Sequence, residues 1–214
     1  MKTENSNAIS KVGRWSAFLS LTFSLTYIVG QLAEWLGLLG SDGGPESAST
    51  ATGLVILLTP SLFLGIAFLI LMVSVHYHAS EDKKIWSHIA LVFATIYATL
   101  ISINYYVQLT LVVPHLLQNE IEGIRPFLFT PFDSFLYSVD VLGYSFMSLS
   151  TLFAAFVFTK KDEVNARWFM IANGLLVPFL ALQIYYHVLI WPASLWGITF
   201  PGSMIALGRV FGKR

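Results

Sequence analysis

Residues 131–159 read PFDSFLYSVDVLGYSFMSLSTLFAAFVFT, a stretch that is long and apolar enough to cross a membrane. It nevertheless carries two acidic residues, Asp133 and Asp140. An ionised side chain at the centre of a spanning helix costs roughly 2.5 to 3.5 kcal/mol on insertion scales, so such residues usually face a partner or a water-filled cavity. The stretch therefore predicts a membrane-spanning helix with a polar site beside it.

The composition of the whole chain favours the same environment. Of the 214 residues, 56% are hydrophobic and 11% are charged, whereas charged residues make up about a quarter of an average soluble chain. The apolar residues fall into blocks of about twenty or more, the length that a helix needs to cross a bilayer. A formal net charge of zero argues against nucleic-acid binding. The absence of cysteine excludes disulfides, thiolate catalysis and Cys-ligated metal sites.

These blocks predict an all-α, polytopic integral membrane protein with one domain. The expected transmembrane helices are 15–39, 53–77, 85–112, 131–159, 167–191 and 195–210. Pro114 is expected to end the third helix. Residues 114–130 then form the longest connection, and their alternating apolar and charged residues suit a short segment on the membrane surface.

The basic residues predict the orientation of these helices. Every Lys and Arg except Arg125 lies near a chain end or near the connection between helices 2 and 3 or helices 4 and 5. Because such residues favour the cytoplasmic side, both termini are predicted to be cytoplasmic, in the cytoplasmic (inner) cell membrane. Trp35, Trp191 and Trp196 fall at predicted outer ends and the other three tryptophans at predicted inner ends, as in aromatic belts.

Polar side chains form stripes on four of the predicted helices. In helix 4, Asp133, Tyr137, Asp140 and Tyr144 are spaced four, three and four residues apart, which puts them on one narrow face. Counted from the helix midpoints at about 1.5 Å per residue, polar residues of helices 1, 3, 4 and 5 share one layer on the outer side. We therefore predict an outward-facing polar and aromatic cavity between these helices. Its expected ligand-binding residues are Glu34, Asn104, Tyr137, Asp140, Tyr144, Gln183 and His187.

The chemistry of this cavity is expected to centre on Asp140 paired with His187. Asp140 lies too deep to reach water by snorkelling, whereas Glu34, Gln108 and Asp133 are interpreted as interfacial residues that snorkel or form single interhelical hydrogen bonds. A buried Asp–His pair suits proton relay or the binding of a cationic substrate. No metal site is predicted, because neither the spacing nor a second histidine supports one.

The motifs that name a reaction are absent from this sequence, including the P-loop, HExxH, the Rossmann fingerprint and G-x-S-x-G. The leading hypothesis is a small transporter-like or ligand-binding membrane protein, whose partners are the lipid bilayer and a small molecule. One alternative is an intramembrane enzyme on a lipid-like substrate, with His187 as acid or base and Asp140 or Glu34 stabilising charge.

A second alternative is a structural or assembly subunit that binds another membrane protein or a further copy of itself. No cofactor is expected for any of these functions. The exception considered is a haem held by His76 and His88, which are predicted to lie at similar depth on helices 2 and 3.

Overall fold

The computed structural model describes residues 2–130, 132 and 134–213, with side chains from residue 7 onward. This part of the chain folds into helices and contains no β-strand. Six of its helices are long and apolar enough to cross a membrane, and we call them the first to sixth spans. They run over Asn7–Trp35, Ala51–His78, Glu81–Leu117, Phe135–Val157, Lys161–Leu182 and His187–Gly212. The all-α class and the number of long apolar helices are thereby confirmed.

Several of the spans are composed of shorter helical segments. The α-helices are Lys2–Trp35, Ala51–His78, Lys84–Val107, Val113–Leu117, Phe135–Ala154, Val164–Gly174, Val177–Leu182, Ile190–Ala193 and Trp196–Gly212. A π-helix, Gln108–Val112, continues the third span, and the 3₁₀ segments are Glu81–Lys83, Glu122–Phe127, Ala155–Val157, Lys161–Glu163 and His187–Leu189.

The spans form a closed ring in sequence order. Each packs against the next, and the sixth packs back against the first. The ring is filled by fully buried side chains at its centre, where the Phe68 ring lies 5.8 Å from that of Tyr97 and 5.7 Å from that of Phe200. Connections 36–50, 118–130 and 183–186 lie at one end of the bundle, which we call the loop end. The two chain termini lie at the opposite end, which we call the termini end.

Small and polar residues let neighbouring spans pack closely. Ser150 donates a hydrogen bond of 2.8 Å to the Ala90 carbonyl, which joins the fourth span to the third. The buried Asn173 of the fifth span donates to the Thr151 hydroxyl at 2.9 Å and accepts from the Thr199 hydroxyl at 3.0 Å. Such interhelical hydrogen bonds satisfy polar groups that would otherwise face apolar surroundings. They fix the fourth, fifth and sixth spans to one another.

The third span continues past its predicted end at residue 112. The chain keeps its helical course because Gln108–Val112 widen into a π-helix, and Pro114 then lies in the first turn of Val113–Leu117, where its missing N–H is not required. The buried Gln108 holds this turn in place by donating a 2.7 Å hydrogen bond to the Phe127 carbonyl. Gln108 was interpreted as an interfacial residue with an interhelical hydrogen bond, but it is fully buried and its bond goes to the 118–130 connection.

The fifth span ends at Leu182 rather than at the predicted residue 191. Pro192 lies in the short helix Ile190–Ala193, and proline is tolerated in the first turn of a helix because that turn does not use its N–H. Residues 183–186 form a turn at the loop end, in which the N–H groups of Tyr185 and Tyr186 both bond to the Leu182 carbonyl, before the sixth span begins.

The first helix ends earlier than predicted, at Trp35. Gly37 adopts a φ of 71°, and the N–H groups of Gly37 and Leu38 bond to the carbonyls of Glu34 and Ala33. This is the Schellman arrangement that commonly ends helices at a glycine. Residues 36–50 consequently fold back over the loop end instead of extending the helix.

Candidate functional site

A cavity of about 400 Å³ lies at the loop end of the bundle. Its size falls within the roughly 300 to 1,000 Å³ of small-molecule sites. All six spans contribute to the wall. The connections add Gly44, Pro45, Ser47, Ser49, Phe129, Thr130 and Phe132. The cavity was predicted between helices 1, 3, 4 and 5. The structure adds the second span, through Leu54, Leu57 and Leu58, and the sixth span, through Trp196.

Five of the predicted ligand-binding residues line this cavity together. The first span contributes Glu34 and the fourth contributes Tyr137, Asp140 and Tyr144, while Gln183 directly follows the fifth span. Asp133, the fourth member of the predicted stripe on helix 4, lies outside the described residues.

Asp140 is held from behind by Asn104. The fully buried Asn104 amide donates to the Leu136 carbonyl at 3.0 Å and to Asp140 Oδ1 at 3.4 Å. The neighbouring Tyr105 hydroxyl donates to the Tyr144 hydroxyl at 3.2 Å. Asn104 does not reach the cavity itself, so its role in the fold is to position Asp140 rather than to line the wall.

Glu34 is the most unusual residue in the wall. Its side chain is 2% exposed, and neither carboxylate oxygen has a hydrogen-bond partner among the described residues. The carboxylate packs against Gly53 so closely that a Cβ atom at that position would lie 2.7 Å from Oε2. The interfacial interpretation of Glu34 does not hold, because residues 36–50 fold back over the end of the helix and cover it; the Ser41 hydroxyl, for example, bonds to the Glu34 carbonyl at 3.2 Å.

Aromatic rings form much of the remaining wall. The centre of this group is Trp196, which meets Tyr27 and Tyr144 edge to face at 6.0 and 5.5 Å and stacks on Phe200 at 5.0 Å. Its indole N–H points to the sulfur of Met147 at 3.4 Å. Trp196 was expected in an aromatic belt at the outer membrane surface, but it is buried inside the bundle.

Three tyrosines, in the third span and in the 183–186 turn, point away from the cavity. Tyr106, Tyr185 and Tyr186 are exposed on the surface of the bundle. Tyr106 is adjacent to the buried Tyr105, and neighbouring residues of a helix face different directions. Tyr185 and Tyr186 belong to the turn that replaces the end of the predicted fifth helix.

His187 does not pair with Asp140. It lies at the start of the sixth span, where its ring stacks on Phe132 at 4.1 Å between centroids. Its Nε2 atom is 3.5 Å from Oε1 of Glu46, in the 36–50 connection. The predicted pairing assumed a helix that continues through residue 187, and the turn at 183–186 redirects the side chain to the rim of the cavity.

His76, His78 and His88 lie at the termini end. The rings of His76 and His88 are 5.7 Å apart in an edge-to-face arrangement, and His76 Nδ1 lies 3.0 Å from the Ser87 hydroxyl. Haem binding by this pair stays a prediction. In the part of the chain that the structure describes, no group of three or more His, Asp or Glu side chains is arranged to hold a metal ion.

Comparison of this chain with protein-family models, with curated proteins and with solved structures found no match. The cavity is therefore interpreted from its own geometry and chemistry.

Proposed function

We propose that this chain is a transporter-like or ligand-binding membrane protein that takes a small molecule into the cavity at the loop end. The observation that carries the proposal is the cavity itself, because a concave, mostly apolar site with a few convergent polar groups is the usual form of a small-molecule site. Its wall combines the carboxyl groups of Glu34 and Asp140 with the aromatic side chains around Trp196.

A lipid environment is supported by the outer surface of the bundle. Large apolar side chains are exposed on several spans, among them Val29, Phe63, Ile103 and Trp168. A soluble protein of this size rarely exposes apolar residues over a wide, contiguous surface. In a bilayer, lipid chains would contact these side chains, and the unfavourable free energy of exposing them to water would be avoided.

We place both termini in the cytoplasm of a cell with the loop end facing outward, because basic residues concentrate at the termini end. The chain contains no cysteine, so single cysteines can be introduced as reporters. A membrane-impermeant maleimide is expected to label Ser47→Cys in intact cells, and to label Ser80→Cys only after the membrane is permeabilised. The opposite pattern would reverse the orientation, and labelling of both in intact cells would contradict six crossings.

Binding in the cavity can be tested with purified protein in detergent and a set of small aromatic compounds of different charge. The set comprises phenylpropyl-trimethylammonium, its uncharged isostere with carbon in place of nitrogen, and phenylbutyrate. At least one is expected to raise the thermal unfolding midpoint, since a ligand at a hundred times its Kd stabilises the folded state by about 2.7 kcal/mol. Asp140→Asn is expected to weaken this binding by about tenfold, because it alters a polar group of the wall.

The matched control for this substitution is Asp162→Asn. Asp162 is an exposed residue at the termini end, where it pairs with Lys213 at 3.6 Å, so the same chemical change there should leave binding unchanged. The proposal is contradicted if none of the compounds binds, or if Asp140→Asn and Asp162→Asn bind all of them as the unmodified protein does.

A further inference from the structure

The distribution of charge in the cavity wall points to a class of ligand. Resting on the proposed function, we infer that the cavity takes an amphipathic organic cation, an ammonium group on an apolar body, and that Glu34 is the anion that pairs with it. This assigns the binding of charge to a different residue from the Asp140–His187 pair that the sequence predicted.

Glu34 lacks a counter-ion among the described residues of the cavity wall. A carboxylate removed from water without a hydrogen-bonded partner is strongly destabilising, by several kcal/mol or more. Both oxygens of Glu34 are buried without a hydrogen-bond partner among the described residues. None of the described residues that line the cavity is a lysine or an arginine. The described cavity wall thus offers no lysine or arginine to Glu34, and the ammonium group of the ligand is the counter-ion that we assign to it.

The carboxyl groups of Asp140 and Glu34 have different surroundings. Asp140 already accepts a hydrogen bond from Asn104. Glu34 has no such partner among the described residues, and both of its carboxylate oxygens are buried. The Tyr137 hydroxyl is a further free group: the side chain is 8% exposed, lines the cavity and has no partner for its hydroxyl among the described residues. Its oxygen is a further electronegative atom that an ammonium group can contact.

The aromatic rings of the wall favour one kind of cation. The faces of tyrosine and tryptophan rings attract ammonium groups, and a cage of such rings is a common site for quaternary ammonium ligands. Tyr27, Tyr144 and Trp196 stand in edge-to-face contact around one side of the cavity. An inorganic cation would instead require several oxygen ligands. The aromatic wall therefore favours an alkylated ammonium group.

The apolar residues of the wall favour a ligand with an apolar body. The second span contributes only apolar side chains to the wall, Leu54, Leu57 and Leu58, and Phe129 and Phe132 extend this surface at the loop end. An apolar group of the ligand would bury its surface against these residues, at about 25 cal/mol for each Å² removed from water. A cation without such a body would leave most of the wall unused.

The experiment compares isosteres that differ only in charge. Phenylpropyl-trimethylammonium is expected to bind the full chain in detergent at least about tenfold more tightly than its uncharged carbon isostere, and phenylbutyrate more weakly still. Isothermal titration calorimetry measures all three affinities directly. In Glu34→Gln the tenfold preference for the cation should disappear, while the affinity for the uncharged isostere stays the same.

Glu120→Gln is the matched control, because Glu120 is an exposed carboxyl group at the same end and does not line the cavity. It should keep the full preference for the cation. If Glu34→Gln does not fold, Glu34→Ala and the comparison of the three compounds on the unmodified protein decide the question.

The outcomes separate this inference from the proposed function. If the uncharged isostere or phenylbutyrate binds as tightly as the cation, the cavity is a ligand site and the inferred ligand class is wrong. The same holds if the preference for the cation survives the loss of Glu34. If none of the three compounds binds, both the inference and the proposed function are overturned.

Discussion

Trp196→Ala is expected to lower the free energy of unfolding by about 3 to 5 kcal/mol, the range for truncating a buried aromatic side chain. Trp196 is 6% exposed and contacts Tyr27, Tyr144, Phe200 and Met147 at once. Its loss would remove packing between the first, fourth and sixth spans and enlarge the cavity. The measurement is the thermal unfolding midpoint of the purified protein in detergent, which should fall sharply.

The controls are alanine substitutions of tryptophans on the surface. Trp168 is 62% exposed, so Trp168→Ala should change the midpoint little in detergent. A comparable loss of stability in Trp196→Ala and Trp168→Ala would show that Trp196 is not buried between the spans. The wall described for the cavity would then be incorrect on that side.

Gly174→Ala is the second substitution with a large expected effect. A Cβ atom at this position collides with Cβ of Leu152 and lies 3.0 Å from its backbone Cα. Because backbone cannot give way as a flexible side chain does, the fourth and fifth spans must move apart. Overpacking of this kind typically costs about 1 to 3 kcal/mol. The thermal unfolding midpoint should fall accordingly.

Gly208→Ala is the matched control for this change. A Cβ atom at position 208 would meet the Cβ of Ala17 at 3.8 Å, which is an ordinary van der Waals distance. Alanine is also the better helix former, so Gly208→Ala is expected to be neutral or mildly stabilising. If Gly174→Ala lowers the thermal unfolding midpoint no more than Gly208→Ala does, the close approach of the fourth and fifth spans is contradicted.

The helical class and the number of spans could be predicted because they depend on local properties of the chain. Block length and apolar composition are enough to identify a spanning helix. The exact course of the third span was less accessible, because the π-helix at Gln108–Val112 is fixed in part by a hydrogen bond to Phe127, which lies far along the chain. The turn at 183–186 was missed because the apolar pattern of residues 167–191 continues through it.

The polar residues of the site could be predicted from the sequence, whereas its apolar residues could not. Glu34, Tyr137, Asp140 and Tyr144 were found because polar residues in an apolar helix stand out at helical spacing. Leu54, Leu57 and Leu58 could not be found in this way, since leucine in a spanning helix carries no information about which neighbour it faces. Burial of Glu34 was missed for a similar reason, because it depends on how residues 36–50 fold back over it.

The closed order of the ring has a consequence for how the protein is assembled during synthesis. Each of the second to fifth spans can pack on a neighbour that has already emerged, whereas the ring is closed only when residues 187–212 pack against both the fifth and the first spans. The contact of Tyr27 with Trp196 crosses that seam. A chain halted before the sixth span would thus hold both acidic residues of the site in a groove open along one side, and the enclosed cavity would come into existence only with the last segment.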